Sequence, residues 1–239
     1  MTENGVRNSK SRGNSKYRLN ANSDFQIMEA YKSLRTNVLF SLATSKNKIA
    51  IISSALPSEG KSTTCANLAI AMGQTGSKVL LIDADLRRPT QHKIFRLNNS
   101  KGLSRLIAGF DNYEDAVHKK VDVNLDVITS GPRPPIPSEL LGSSQMVNLL
   151  AELSDLYDFI LIDTPPVNVV TDALVFSGET AGILLAVRQK QTTYDELQKA
   201  LDIIKFAQTN TLGVVITDVK DYNKSSEKYS KKYDHEYKL

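Results

Sequence analysis

Ile49-Ala50-Ile51-Ile52-Ser53-Ser54-Ala55-Leu56-Pro57-Ser58-Glu59-Gly60-Lys61-Ser62-Thr63 constrains this chain more than any other stretch. The isoleucine-rich run reads as a buried strand. A tight turn follows, and Gly-Lys-Ser-Thr then opens a helical run from Cys65 to Met72. Strand, loop and helix in that order make a phosphate-binding P-loop. Backbone N–H groups converge at the helix N-terminus, where the helix dipole favours an anion. Lys61 is the candidate for the β- and γ-phosphates, and the Ser62 hydroxyl is the candidate ligand for Mg²⁺. Ser58, Glu59, Gly60 and Thr63 complete the candidate nucleotide-binding set through the loop. The usual pattern starts with Gly where this chain has Ala55, a replacement that serves only if the backbone there needs no positive φ.

The 239 residues suit one α/β domain with a sizeable core. Cys65 stands alone, which excludes an internal disulfide framework or a cysteine metal cluster and fits a reducing cytosol. No apolar run approaches bilayer length, and Thr2–Ser23 is polar without a signal-peptide core. Lysine and arginine concentrate at the two ends, where they read either as solvated tails or as contacts for acidic surfaces.

Residues 1–22 are expected to be disordered, 23–220 to form the catalytic domain, and 221–239 to be a flexible tail. Phe25, Met28, Tyr31, Leu34, Val38 and Leu42 recur at helical spacing, with Ser23 or Asp24 as the cap. Strands are predicted at 49–53, 78–83, 125–128, 159–163, 182–187 and 213–217. Helices are predicted at 62–74, 104–108, 113–117, 138–155, 171–176 and 194–207. Short apolar strands alternating with amphipathic helices imply an α/β fold: a mostly parallel sheet with helices on both faces.

Two apolar strands end on carboxylates. Leu80-Leu81-Ile82-Asp83-Ala84-Asp85-Leu86-Arg87-Arg88-Pro89 brings Asp83 and Asp85 to the strand edge where ligands bind in open parallel sheets. Phe159-Ile160-Leu161-Ile162-Asp163 repeats the device, in the manner of a carboxylate that holds Mg²⁺ through water. A strand-terminal cap is the plainer reading of any one of them. Three carboxylates beside a P-loop favour a metal-phosphate site built from Ser62, Asp83, Asp85 and Asp163. Arg87 and Arg88 read either as charge-stabilising groups, as clamps on a neighbouring subunit, or as surface ion pairs.

Taken together, the three motifs resemble those of the bacterial tyrosine kinases of capsule and exopolysaccharide assembly, from about Asp24 to the C-terminus. The likeness is to the Gram-positive type, in which the kinase is a separate cytoplasmic chain. The resemblance implies a P-loop NTPase of the deviant-Walker class that uses ATP and Mg²⁺ and phosphorylates its own C-terminal tyrosines. Lys61, Asp83, Asp85 and Asp163 are then the catalytic set, with Asp83 near the incoming hydroxyl as its base. Tyr222, Tyr229, Tyr233 and Tyr237 lie among lysines, serines and acids and become the phosphoacceptors. The alternative for these tyrosines is a helical stripe, since their spacings align on one face. Glu29, Lys32 and Arg35 resemble the family's Glu-x-x-Arg-x-x-Arg oligomerisation helix, with Lys32 in place of the first Arg. A ring of subunits, a membrane-embedded activator acting through its cytoplasmic tail, tyrosine-containing protein substrates and a cognate tyrosine phosphatase are the implied partners, with no nucleic acid. Arg188, Thr217 and Asp218 are candidates for the adenine. The related positioning ATPases of chromosome partitioning have a lysine where Leu56 stands, so a nucleotide-switched positioning ATPase is the competing reading. A non-catalytic scaffold assembled by ATP is the third.

Overall fold

The computed structural model describes residues 18–43 and 45–219. The C-terminal tyrosines and residues 1–17 lie outside this range. The element order is α1 (Phe25–Ala43), β1 (Ile49–Ser54), α2 (Lys61–Gly73), β2 (Val79–Asp83), α3 (Gln91–Phe95), α4 (Leu103–Ile107), α5 (Tyr113–Ala116), β3 (Val117–Asp122) and β4 (Leu125–Ile128). Then come α6 (Pro137–Leu141), α7 (Ser144–Ser154), β5 (Phe159–Asp163), a 3-10 helix (Asp172–Glu179), β6 (Gly182–Arg188), α8 (Tyr194–Phe206) and β7 (Thr211–Thr217). Among these residues no helix is long and apolar enough to cross a membrane.

The strands form one sheet in the order β3-β4-β2-β5-β1-β6-β7, parallel throughout except for β3. Alternation of side chains along buried strands produces two cores. Ile49, Ile51, Leu80, Ile82, Ile160 and Ile162 pack with α4, α6, α7, α8 and the 3-10 helix. Ala50, Ile52, Leu81, Val127, Leu161 and Leu184 face α1, α2 and α3. The predicted α/β class and helix coverage on both faces are therefore present.

The departures from expectation have local causes. Residues 138–155 form two helices: α6 stops at Leu141, and the Ser143 side chain accepts from the Met146 N–H to start α7. β3 is not among the predicted strands. It is an edge strand, antiparallel to β4 with a register shift after His118, and lysines suit such an edge. The expected disordered segment overlaps the described residues at 18–22, where the chain is packed. Leu19 is buried and its N–H donates to Asn67 Oδ1 at 2.9 Å. Arg18 pairs with Asp122 and stacks over the Phe95 ring.

Sheet order decides where the site lies. β1 and β2 are not neighbours: β5 runs between them, so Asp163 sits level with Asp83 in paired register. The loops after β1, β2 and β5 leave the same edge, at the point where the strand order reverses, which is where open α/β sheets bind ligands.

Candidate active site

The loop between β1 and α2 owes its shape to two residues with positive φ, Ser58 at 66° and Gly60 at 86°. Ala55 is not among the residues with positive φ, so the missing glycine costs nothing there. Glu59 is buried and turned inward. Its carboxylate accepts from the Leu56 N–H at 2.7 Å and from the Thr192 hydroxyl, and its carbonyl accepts from Thr217 Oγ1 at 2.7 Å. Glu59 therefore shapes the loop, and its side chain is spent on the protein. Leu56 packs against the core below. Arg188 donates to the Ser58 carbonyl at 3.2 Å while paired with Asp218 at 2.8 Å.

Lys61 opens α2, and its ammonium meets Ser62 Oγ at 3.1 Å, Asp85 at 2.9 Å and Asp163 at 3.3 Å. Burial would lower its pKa, but Asp163 and Asp85, with Asp83 behind them, more than offset that and raise it. Asp83 lies deeper. One oxygen accepts from the Thr90 and Gln91 N–H groups at 3.0 and 2.9 Å, and the other accepts from the Asp85 N–H at 3.3 Å. Both oxygens thus serve backbone donors and tie Asp83 to the turn that follows it. Among the described residues no three His, Cys, Asp or Glu side chains form a ready cation cage. The oxygens offered here are Ser62 Oγ, with Asp85 and Asp163 beyond it.

Arg87 lines the same cleft, but its guanidinium is committed elsewhere. It makes a bidentate pair with the buried Asp172, at 2.8 and 3.1 Å, tying the loop after β2 to the 3-10 helix. Arg88 is exposed on the rim of the cleft. Gln91 escaped the sequence reading because a lone glutamine after a proline turn gives no signal. It is fully buried, and it donates to Asp163 Oδ2 at 2.7 Å and to the Ser62 carbonyl at 3.0 Å. The cleft above holds about 1080 Å³, enough for a nucleotide, and is lined by Ser58–Thr63, Arg188, Thr217 and Asp218.

Asp83 has a pH signature. Burial and the Asp163 charge outweigh the Gln91 N–H, Lys61 and the Thr90 N–H, and push its pKa up to about 8 from an ordinary 3.8. The folded chain then keeps a proton that the unfolded chain releases. Stability from this group is complete below about pH 4 and is lost as pH rises to about 8. Asp83→Asn should flatten the fall in melting temperature between pH 5 and 8. A slope equal to that of the wild type would show that Asp83 is ionised throughout. Asp163, also raised by burial, leaves some slope in the variant.

A family profile described as AAA domain matches residues 46–215. The tyrosine-protein kinase YwqD of Bacillus subtilis (strain 168) is 41% identical over 192 residues, which are 80% of this chain and 81% of that protein. The chain belongs to the bacterial tyrosine-protein kinase family. The kinase domain of the Escherichia coli tyrosine kinase ETK superposes on this kinase with a TM-score of 0.84 at 32% identity, covering 91% of this chain and 85% of that one. The chimerical protein CapA2B2 superposes with a TM-score of 0.75 at 42% identity, covering 79% and 83%. These likenesses favour the kinase reading over the positioning ATPase. Leu56, where those ATPases have lysine, agrees with them.

Proposed function

We propose that this kinase transfers the γ-phosphoryl group of ATP to tyrosine hydroxyls of residues 221–239 on a neighbouring copy, namely Tyr222, Tyr229, Tyr233 and Tyr237. One observation supports this above others: the Lys61 ammonium sits among Ser62, Asp85 and Asp163 at the mouth of a pre-shaped P-loop. On nucleotide binding Lys61 would leave the two carboxylates for the β- and γ-phosphates. Asp85 and Asp163 would then turn to the waters of a magnesium ion held by Ser62. That ion, when bound, neutralises charge on the transferring group. A free tyrosine hydroxyl, with a pKa of about 10, needs a nearby base. Asp83 would serve as that base in its ionised form, a stronger base than an ordinary carboxylate and one that becomes populated as pH nears about 8.

In this reading 23–220 is the catalytic body and 221–239 the substrate segment. Assembly runs through α1, where Glu29 and Lys32 pair with each other at 2.6 Å on the open face. Arg35 has one donor committed to the Ala71 carbonyl of its own α2 and keeps others for a neighbour. Phosphates added to clustered tyrosines bring up to about −2 charge each and repel one another, which loosens the assembly. The kinase would work in the cytoplasm, recruited by a membrane-embedded activator, and the CapA2B2 chimera gives precedent for a paired chain. The pathway served is capsule or exopolysaccharide synthesis.

The test starts from phosphatase-treated full chain given Mg-ATP and followed by intact mass and tail-peptide spectra, with and without the activator's cytoplasmic segment. Stepwise gains on the four tyrosines are expected. ADP release without phosphotyrosine in either sample would instead return the chain to the switch ATPases.

A further inference from the structure

One residue touches all three motifs, two through its side chain and one through its backbone, and no motif contains it. Gln91 begins α3, immediately after the turn that follows Asp85. Its backbone N–H donates to Asp83 Oδ2 at 2.9 Å. Its side-chain amide donates to the Ser62 carbonyl at 3.0 Å and to Asp163 Oδ2 at 2.7 Å. The residue is fully buried, and its remaining polar atom, Oε1, is buried with no hydrogen-bond partner among the described residues.

Two consequences follow from what the neighbours do. Asp163 is held by Lys61, by Gln91 and by the Ser62 side chain. If Lys61 turned to a phosphate and the Ser62 hydroxyl to a metal, Gln91 would remain as the neutral donor fixing that carboxylate. The same amide grips the Ser62 carbonyl, so the Ser62 backbone and the Asp163 carboxylate, which flank the candidate magnesium position, are held by one planar group. An orphaned buried acceptor also calls for a donor, and a water held by a metal near Ser62 and Asp163 would supply one.

We infer that Gln91 is a positioning residue for the divalent cation: it orients Asp163 and Ser62 toward the metal and offers Oε1 to a metal-held water. The kinetic part rests on the phosphoryl-transfer reading, whereas the metal-binding part does not. Groups in this outer role typically change metal affinity or activity by about 10–100-fold when replaced.

The test uses the full chain with a fluorescent ATP analogue, titrated with MgCl₂ and separately measured in EDTA. Gln91→Met keeps side-chain length and the N–H to Asp83 but removes the amide. Its affinity in EDTA should stay within about twofold of wild type, while the Mg²⁺ half-saturation rises about 10–100-fold. At saturating ATP its kcat should fall with little change in KM. Gln91→Asn keeps a shortened amide and should lose less than Met on both counts. An unchanged Mg²⁺ half-saturation in either folded variant overturns the inference, as does an equal loss with and without Mg²⁺, which marks a packing role. If Gln91→Met fails to fold, the Asn variant decides alone by the same criterion. Wild type that binds Mg-nucleotide but makes no phosphotyrosine would sink the kinase reading and leave the metal titration intact.

Discussion

Lys61→Met should reduce tyrosine phosphorylation by at least about 10²–10³-fold, the scale of losing one pre-aimed group that stabilises transition-state charge. The structure adds a second effect. In the resting chain Lys61 is the cation beside Asp85 and Asp163, both nearly inaccessible to solvent. Removing one partner of a buried ion pair costs about 3–5 kcal/mol, because the remaining charge is stranded. Asp163 already holds its proton above the ordinary range because of burial, and loss of Lys61 raises it further. A carboxyl so raised favours the fold at low pH and weakens it as pH rises. The variant should therefore unfold at lower denaturant than wild type at pH 8, with the gap narrowing towards pH 6. Full activity in Lys61→Met would refute the assignment. An equal gap at both pH values would refute the electrostatic account while leaving the catalytic one standing.

Arg87→Ala should cause the other large loss, in stability rather than chemistry. Its partner Asp172 is buried, although a third of the Arg87 side chain is open to water. Solvent screening on the arginine side reduces the penalty from the fully buried case to about 2–3 kcal/mol. Arg87→Lys should restore only part of it, since an ammonium cannot make the two parallel bonds of the guanidinium. Nucleotide affinity below the unfolding transition should be unchanged. Chemical denaturation would measure the first effect and equilibrium binding the second. A stable Arg87→Ala chain with lost phosphorylation would instead restore the charge-stabilising role that the sequence allowed.

The parts of the fold that were legible from sequence are those with strong local chemistry. Four apolar residues before Asp163 and before Asp83 mark strands because buried parallel strands need continuous apolar runs. Gly60-Lys61 marks the loop because few residues accept its backbone shape. What stayed hidden depends on partners distant in sequence. Gln91 meets Asp163 from 72 positions away, and Arg87 meets Asp172 from 85 away. β3 exists because β4 offers it an edge, and no periodicity within His118–Lys120 announces that. Glu59 looked like a ligand for nucleotide because it lies in the loop. Only the fold brings Thr192 against its carboxylate.

Glu59, Thr217 and Arg188 together clamp the phosphate-binding loop through bonds made entirely within the protein. A receptor already set in its bound shape loses little freedom when it captures its guest. Capture is then an inexpensive event and a poor point of control. Under the proposed transfer to a neighbouring copy, regulation would then fall on the delivery of the acceptor hydroxyl rather than on the capture of nucleotide.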